Sequence, residues 1–265
     1  MSWLRLPLIA ALAALVLGCT TAETRQQEKR DREAAQFNVQ LGISYMRQNS
    51  LEQADEKLAK ALEQDPDLPA AHNAYAVLQE RLGEFDRAER HYRRAIELDP
   101  KDSEARSNFG AFLCRVGRPD EAQRQFEAAW SNPLYSRPEA VFTTAGICAV
   151  GTGDEARAEE YLRRALDRNP DYLPALYEMA GLTFREERFL QTRAYVQRYD
   201  AALAEAARRN PQLPKANAQM LWLCVQAERQ LGNASAAQSC AQRLKNQFPE
   251  SRQTTQLLEL ERNGR

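Results

Sequence analysis

Two histidines in 265 residues, His72 and His91, are the whole imidazole supply of this sequence, and neither has cysteine or paired carboxylates beside it at ligand spacing. A metal site needs three or four donors, so none is expected, and the two read as rim histidines of a scaffold. The 11 glycines form no phosphate-cradling loop, and neither G-x-S-x-G nor H-E-x-x-H occurs. Charge of one sign is also missing. The 36 Lys and Arg against 37 Asp and Glu leave a net charge of -1 with no long run of either sign, which argues against nucleic acid as a partner. Carboxylates stand beside Lys and Arg, as from Glu155 to Arg164, in the manner of solvated helix faces. Neither an enzymatic activity nor a cofactor is expected. The uncharged run from Leu6 to Gly18 is too short to span a bilayer as a helix.

What is present is a period. Ala54, Ala88 and Ala122 stand 34 residues apart, and Ala158, Thr192 and Ala237 follow after 36, 34 and 45. A second ladder runs Ala61, Ala95, Ala129, Ala165, Tyr199 and Leu244, and a third Gly42, Ala76, Gly110, Gly146, Ala180 and Val225. Two antiparallel helices cross closely only where neither carries a bulky side chain, so Gly or Ala recurs at the crossing. Leu58, Tyr92, Phe126 and Leu162, three residues before the second ladder, fill the remaining space. Gly83, Gly117, Gly153 and Gly232, with Asn49 as substitute, sit where a turn requires positive φ. Prolines 66, 100, 170 and 249, with Pro133 shifted by one, close the second helices.

These ladders resemble the small positions of the tetratricopeptide repeat (TPR). The resemblance implies an all-α fold, a right-handed superhelical TPR solenoid of six helical hairpins at 35–68, 69–102, 103–136, 139–172, 173–206 and 218–251. A short capping helix with Leu257, Leu258 and Leu260 is expected within 252–265, covering an end that would otherwise be exposed. Repeat five departs from the pattern, with Thr192 and Tyr199 for alanine and Glu187 for the turn glycine. Its second helix is either long, or broken and extended toward Asn210-Pro211, which leaves the conformation of 200–217 open.

Arg5 followed by the apolar run reads as a signal peptide over 1–18. The end of that run, Val16-Leu17-Gly18-Cys19, resembles the lipobox of bacterial lipoproteins, in which the thiol of Cys19 receives the diacylglycerol. Residues 19–34 are then the lipidated Cys and a tether. Thr20, rather than Asp, resembles an outer-membrane address in Gram-negative lipoprotein sorting.

Four further cysteines would lie in an oxidising compartment. Cys114 and Cys148 fall on the first helices of neighbouring repeats, and Cys224 and Cys240 on the two helices of repeat six. Stacking favours 114 with 148 and 224 with 240; the alternative is reduced thiols packed as small hydrophobes.

First helices form the inner wall of such a stack, where partner peptides lie. This chain lacks the Asn, Lys and Arg set with which some TPR proteins grip a C-terminal carboxylate. Its wall near the tether is apolar instead, with Val39, Ile43, Met46 and Val77, which suits an amphipathic helix or apolar segment laid in a groove. Ile147, Tyr177 and Phe184 form a second apolar stretch.

A lipobox, six repeats, an irregular fifth and a cysteine-containing sixth resemble the PilF/PilW pilotins, the type IV pilus biogenesis and stability lipoproteins. The resemblance implies a lipid-anchored scaffold on the periplasmic face of the outer membrane. Its partner would be the secretin subunit of the type IV pilus machine, whose localisation and ring formation it promotes, and the protein alone would be a monomer. The alternative is a TPR lipoprotein adaptor for peptidoglycan synthases or hydrolases.

Overall fold

The computed structural model describes residues 6–263 except residue 215, with side chains described from residue 24 onward. The expected signal peptide and the lipidation at Cys19 therefore fall outside the described side chains. Among the described residues there are thirteen α-helices and no strand, and no helix is long and apolar enough to cross a membrane. The chain divides into two compact units, Met1–Phe109 and Gly110–Arg265.

In the first unit, α1 (Leu6–Arg47) packs along α2 (Leu51–Gln64) and α3 (Pro69–Arg81) along α4 (Phe85–Leu98), while α3 also rests on α1 and α2. α5 (Ser103–Arg115) begins in this unit. Sequence spacing accounts for the pairing. Ala54, Leu58 and Ala61 of α2 recur at four and three residues and are fully buried, as are Ala88 and Ala95 of α4. A Cβ built on Gly42 would lie 2.5 Å from the Leu58 side chain, so no larger residue fits at this crossing. Asn49 makes the turn between α1 and α2 at φ 58°. The stretch expected as a tether is part of α1, which runs 42 residues without a break.

The second unit continues with α6 (Pro119–Trp130), α7 (Pro138–Gly151), α8 (Glu155–Arg168), α9 (Leu173–Arg185), α10 (Phe189–Arg209), α11 (Ala218–Gln230), α12 (Ala234–Gln247) and α13 (Arg252–Arg262). Hairpins form from α7 with α8, α9 with α10 and α11 with α12, and α8 on α9 and α10 on α11 stack them. α13 lies on α11 and α12 and buries Leu257, while Leu258 stays exposed. α10 is one unbroken helix of 21 residues, which decides between the two readings of repeat five. At its crossing, the buried Thr192 hydroxyl lies 3.1 Å from that of Thr183, which also donates to the Met179 carbonyl at 2.8 Å. A polar residue replaces alanine there because its hydroxyl has a partner.

Candidate functional site

The first unit carries a groove of about 340 Å³. α1 supplies Val39, Ile43 and Met46 at four- and three-residue steps along one face, and α3 supplies Ala70, Ala74 and Val77 in the same manner, with Asn73 beside them. The start of α5 adds Glu104 and Asn108, with Asp102 just before it. Val39 and Met46 are each only 5 % exposed and belong to the core with Leu58, Ala71 and Tyr75, whereas Ile43 and Val77 are half-buried against that core. The four residues expected along this wall all line the groove, at two depths: Val39 and Met46 form the floor, and Ile43 and Val77 present surface. Val39 and Met46 are buried because they belong to the core that α1 shares with α2 and α3.

Polar groups frame this floor. The Asn108 side-chain amide donates to the Asn73 oxygen at 3.2 Å, joining consecutive first helices. Asp102 caps α5, accepting the backbone N–H groups of Glu104 at 2.9 Å and Ala105 at 3.0 Å. Arg81 donates to the Met46 carbonyl at 2.7 Å and so satisfies the C-terminal end of α1. Asn108 was missed from sequence, although it stands 35 residues after Asn73, close to the repeat period.

In the second unit the cysteines are joined as Cys114–Cys148 and Cys224–Cys240, with Cα–Cα distances of 5.8 Å and 6.1 Å. The first bridge lines a groove of about 420 Å³ with Ala111, Thr144 and Ile147, the last of which is 47 % exposed. Tyr177 and Phe184 do not line it. Tyr177 faces Tyr199 at a ring separation of 6.5 Å, and Phe184 meets Phe189 edge-on at 5.7 Å. Of the three residues expected along one wall, Ile147 lies on this groove, while Tyr177 and Phe184 pair with rings across the single α9–α10 hairpin. A third groove, about 540 Å³, opens beside α13 over Val225 and Leu257, with a 3.0 Å Lys245–Glu261 ion pair at its rim.

His72 and His91 meet within the second hairpin, Nδ1 to Nδ1 at 2.9 Å, and His72 Nε2 lies 2.9 Å from the Pro66 carbonyl. Burial, and then the charges of His72, Arg87 and Arg90, bring the His91 pKa down to about 4. Among the described residues no group of three or more His, Cys, Asp and Glu gathers as metal ligands would.

A tetratricopeptide-repeat family model matches residues 39–103 and 113–185, and a second such model matches 91–124. The chain is 30% identical over 194 residues to the type IV pilus assembly protein PilF of Pseudomonas aeruginosa, covering 72% of this chain and 77% of that protein. Among solved structures it is similar to PilW, described as a widely conserved type IV pilus biogenesis factor, with a TM-score of 0.71 and 29% identity over 84% of this chain and 98% of that one. The Pseudomonas aeruginosa PilF structure gives 0.68 and 28%, over 86% and 98%.

Proposed function

The chain belongs to the PilF/PilW family of tetratricopeptide-repeat type IV pilus biogenesis proteins, and from that premise we propose that it is a non-enzymatic pilotin scaffold. Lipid on Cys19 holds it at the periplasmic face of the outer membrane. There it takes a segment of the pilus secretin into the groove of the first unit and promotes the secretin's localisation and multimerisation. The observation that carries this reading is the groove itself, an apolar floor of Val39 and Met46 with Ile43 and Val77 presenting surface above it. Its burial against a partner would contribute about 25 cal/mol per Å² before the cost of ordering is subtracted.

Ile43→Asp and Val77→Asp test the reading better than changes at Val39 or Met46, which would also empty the core. From these half-buried positions a carboxylate can still reach water along the open groove in the free protein, and it loses that water when a partner covers it. Each variant is expected to cut secretin recovered on the scaffold from outer membranes, and secretin multimers, by about tenfold or more, with melting shifted by about 2–4 °C at most. Unchanged secretin assembly with either variant sinks the reading. Peptidoglycan synthases or hydrolases recovered in place of secretin favour the adaptor alternative. Incorporation of labelled fatty acid that persists in Cys19→Ala removes the anchor.

A further inference from the structure

We propose that the side of α1 bearing Phe37 and Leu41 docks an amphipathic helix of another protein, which packs there as the second helix of a preceding hairpin would. The repeat register carries the argument. Phe37 stands in line with Ala71, Ala105, Val141, Ala175, Met220 and Thr254 of the later first helices and of α13. Those six are at most 3 % exposed, whereas Phe37 is 60 % exposed. α13 shows which neighbour buries this row. No helix follows it among the described residues, yet Thr254 is buried, its hydroxyl donating at 2.6 Å to the carbonyl of Phe248 at the end of α12. The hairpin before therefore covers the row, as Ala71 is packed in one core with Leu58 and Ala61 of α2. No hairpin precedes α1 among the described residues, and α1 runs unbroken from Leu6, so its upstream turns lead away from Phe37 rather than over it. The end of a stack needs a polar outer face. This one carries a phenylalanine, with the half-buried Leu41 one turn further on.

The repeats also show what such a row accepts. Second helices bring two large apolar residues four apart with an alanine before the second, as Leu58, Ala61 and Leu62 in α2 and Tyr92, Ala95 and Ile96 in α4. Tyr92 stacks on Phe109 of the following first helix with ring centroids 5.6 Å apart. Phe37 is bulkier than the alanines at 71 and 105, so a helix docking here sets its small position against that ring. A second copy cannot supply the helix head to tail, because α13 already lies on its last second helix, α12. At about 3.6 residues per turn, Phe37 and Leu41 point away from Val39, Ile43 and Met46, so this surface is separate from the groove assigned above to the secretin.

The test uses the full chain in detergent and the chain's own α2, residues 51–64, as a fluorescein-labelled peptide. A lactam between Glu56 and Lys60, both exposed in α2, holds the peptide helical. The control peptide carries Leu58→Ser and Leu62→Ser. Saturable binding of the α2 peptide is expected, weakened about tenfold or more in the control peptide and in a chain with Phe37→Glu, and kept within about threefold by Phe37→Leu. Ile43→Asp should leave it unchanged, and melting of Phe37→Glu should stay within about 2 °C because the ring is mostly exposed. Absence of saturable binding, equal binding by the Phe37→Glu chain, or loss of binding with Ile43→Asp overturns the inference. A dimer that Phe37→Glu dissolves in sedimentation equilibrium would give the face to a second copy and also overturn it. Sedimentation with phosphatidylethanolamine and phosphatidylglycerol vesicles that depends on Phe37, with no peptide binding, would give it to lipid with the same result. Secretin recovery with Ile43→Asp is read separately, so the groove reading stands or falls without this one.

Discussion

Glu187 sits at φ 56° in the turn between α9 and α10, where the corresponding turns use Gly83, Gly117, Gly153 and Gly232 at φ between 72° and 80°. The turn closes through the Glu187 N–H on the Phe184 carbonyl at 3.0 Å and the Arg188 N–H on the Thr183 carbonyl at 2.9 Å. A side chain with a Cβ in this region costs about 1–2 kcal/mol, and glycine gives back part of the relief through its freer unfolded chain. Glu187→Gly is thus expected to stabilise by about 0.5–1 kcal/mol, read as a rise in chemical-denaturation midpoint. Asn49→Gly should do less, since Asn tolerates the left-handed region. A lower midpoint for Glu187→Gly would mean that its side chain contributes more than its backbone strain.

The histidine pair gives a second expectation for a single residue. His72 Nε2–H donates to the Pro66 carbonyl, so neutral His72 accepts at Nδ1, and His91 Nδ1–H donates to it. With a folded pKa of about 4 against an ordinary 6.5, His91 takes its proton later in the folded protein than in the unfolded chain. Stability is full above about pH 6.5 and is lost as pH falls from there toward 4. The loss should reach about 1–2 kcal/mol, below the full 1.4 kcal/mol per pKa unit because the ring is half-buried and solvent screens it. His91→Gln should flatten this part of the stability profile in urea titrations; an unchanged slope would assign it to the carboxylates.

At the scale of elements, α1 is the case where the chain and its structure part. Residues 24–30 are exposed, and the ties of this segment are an Arg32–Asp65 ion pair at 2.8 Å and local contacts such as Gln27 to Asp31 at 2.8 Å. No Gly or Pro interrupts 20–41, so nothing ends the helix, yet residues 24–30 show no apolar face because all of them are exposed. Amphipathic periodicity therefore cannot reveal it. The crossings are different: Ala54, Ala88, Ala122 and Ala158 announce the fold because close packing leaves a periodic trace in residue size. The groove was only half readable. Its apolar surface follows from Ile43 and Val77, but burial of Val39 and Met46 depends on how α1 packs with α2 and α3, and the Asn73–Asn108 pair exists only once neighbouring helices align. Gln27→Gly with Arg30→Gly should cost the exposed segment about 1 kcal/mol of helix per site and speed its amide exchange, leaving global melting unchanged. A fall in melting would mean that the segment is packed against the rest of the unit.

For the whole molecule, stability is distributed unevenly, because both disulfides lie in the second unit and none among the described residues of the first. Repeat proteins approximate a sum of local repeat stabilities and nearest-neighbour terms, so loss of a crosslink should be felt chiefly where it occurs. The bridges close sequence separations of 34 and 16 residues, which on the chain-entropy account correspond to about 4 and about 3 kcal/mol as upper figures. Cys114–Cys148 joins α5 to α7, first helices of successive hairpins, whereas Cys224–Cys240 joins α11 to α12 within one hairpin. Reduction should accordingly loosen two hairpins through the first bridge and the terminal hairpin through the second. Hydrogen exchange after treatment with reductant is expected to show lost protection in α5 to α8 and in α11 to α12, with α1 to α4 keeping theirs. Equal loss across α1 to α4 would show one cooperative unit instead, and the groove of the first unit would then depend on bridges that none of its lining residues touches. Because the start of α5 also lines the groove, binding of the proposed partner segment should fall only in part on reduction if α1 to α4 hold, and binding measured before and after reduction distinguishes the two cases.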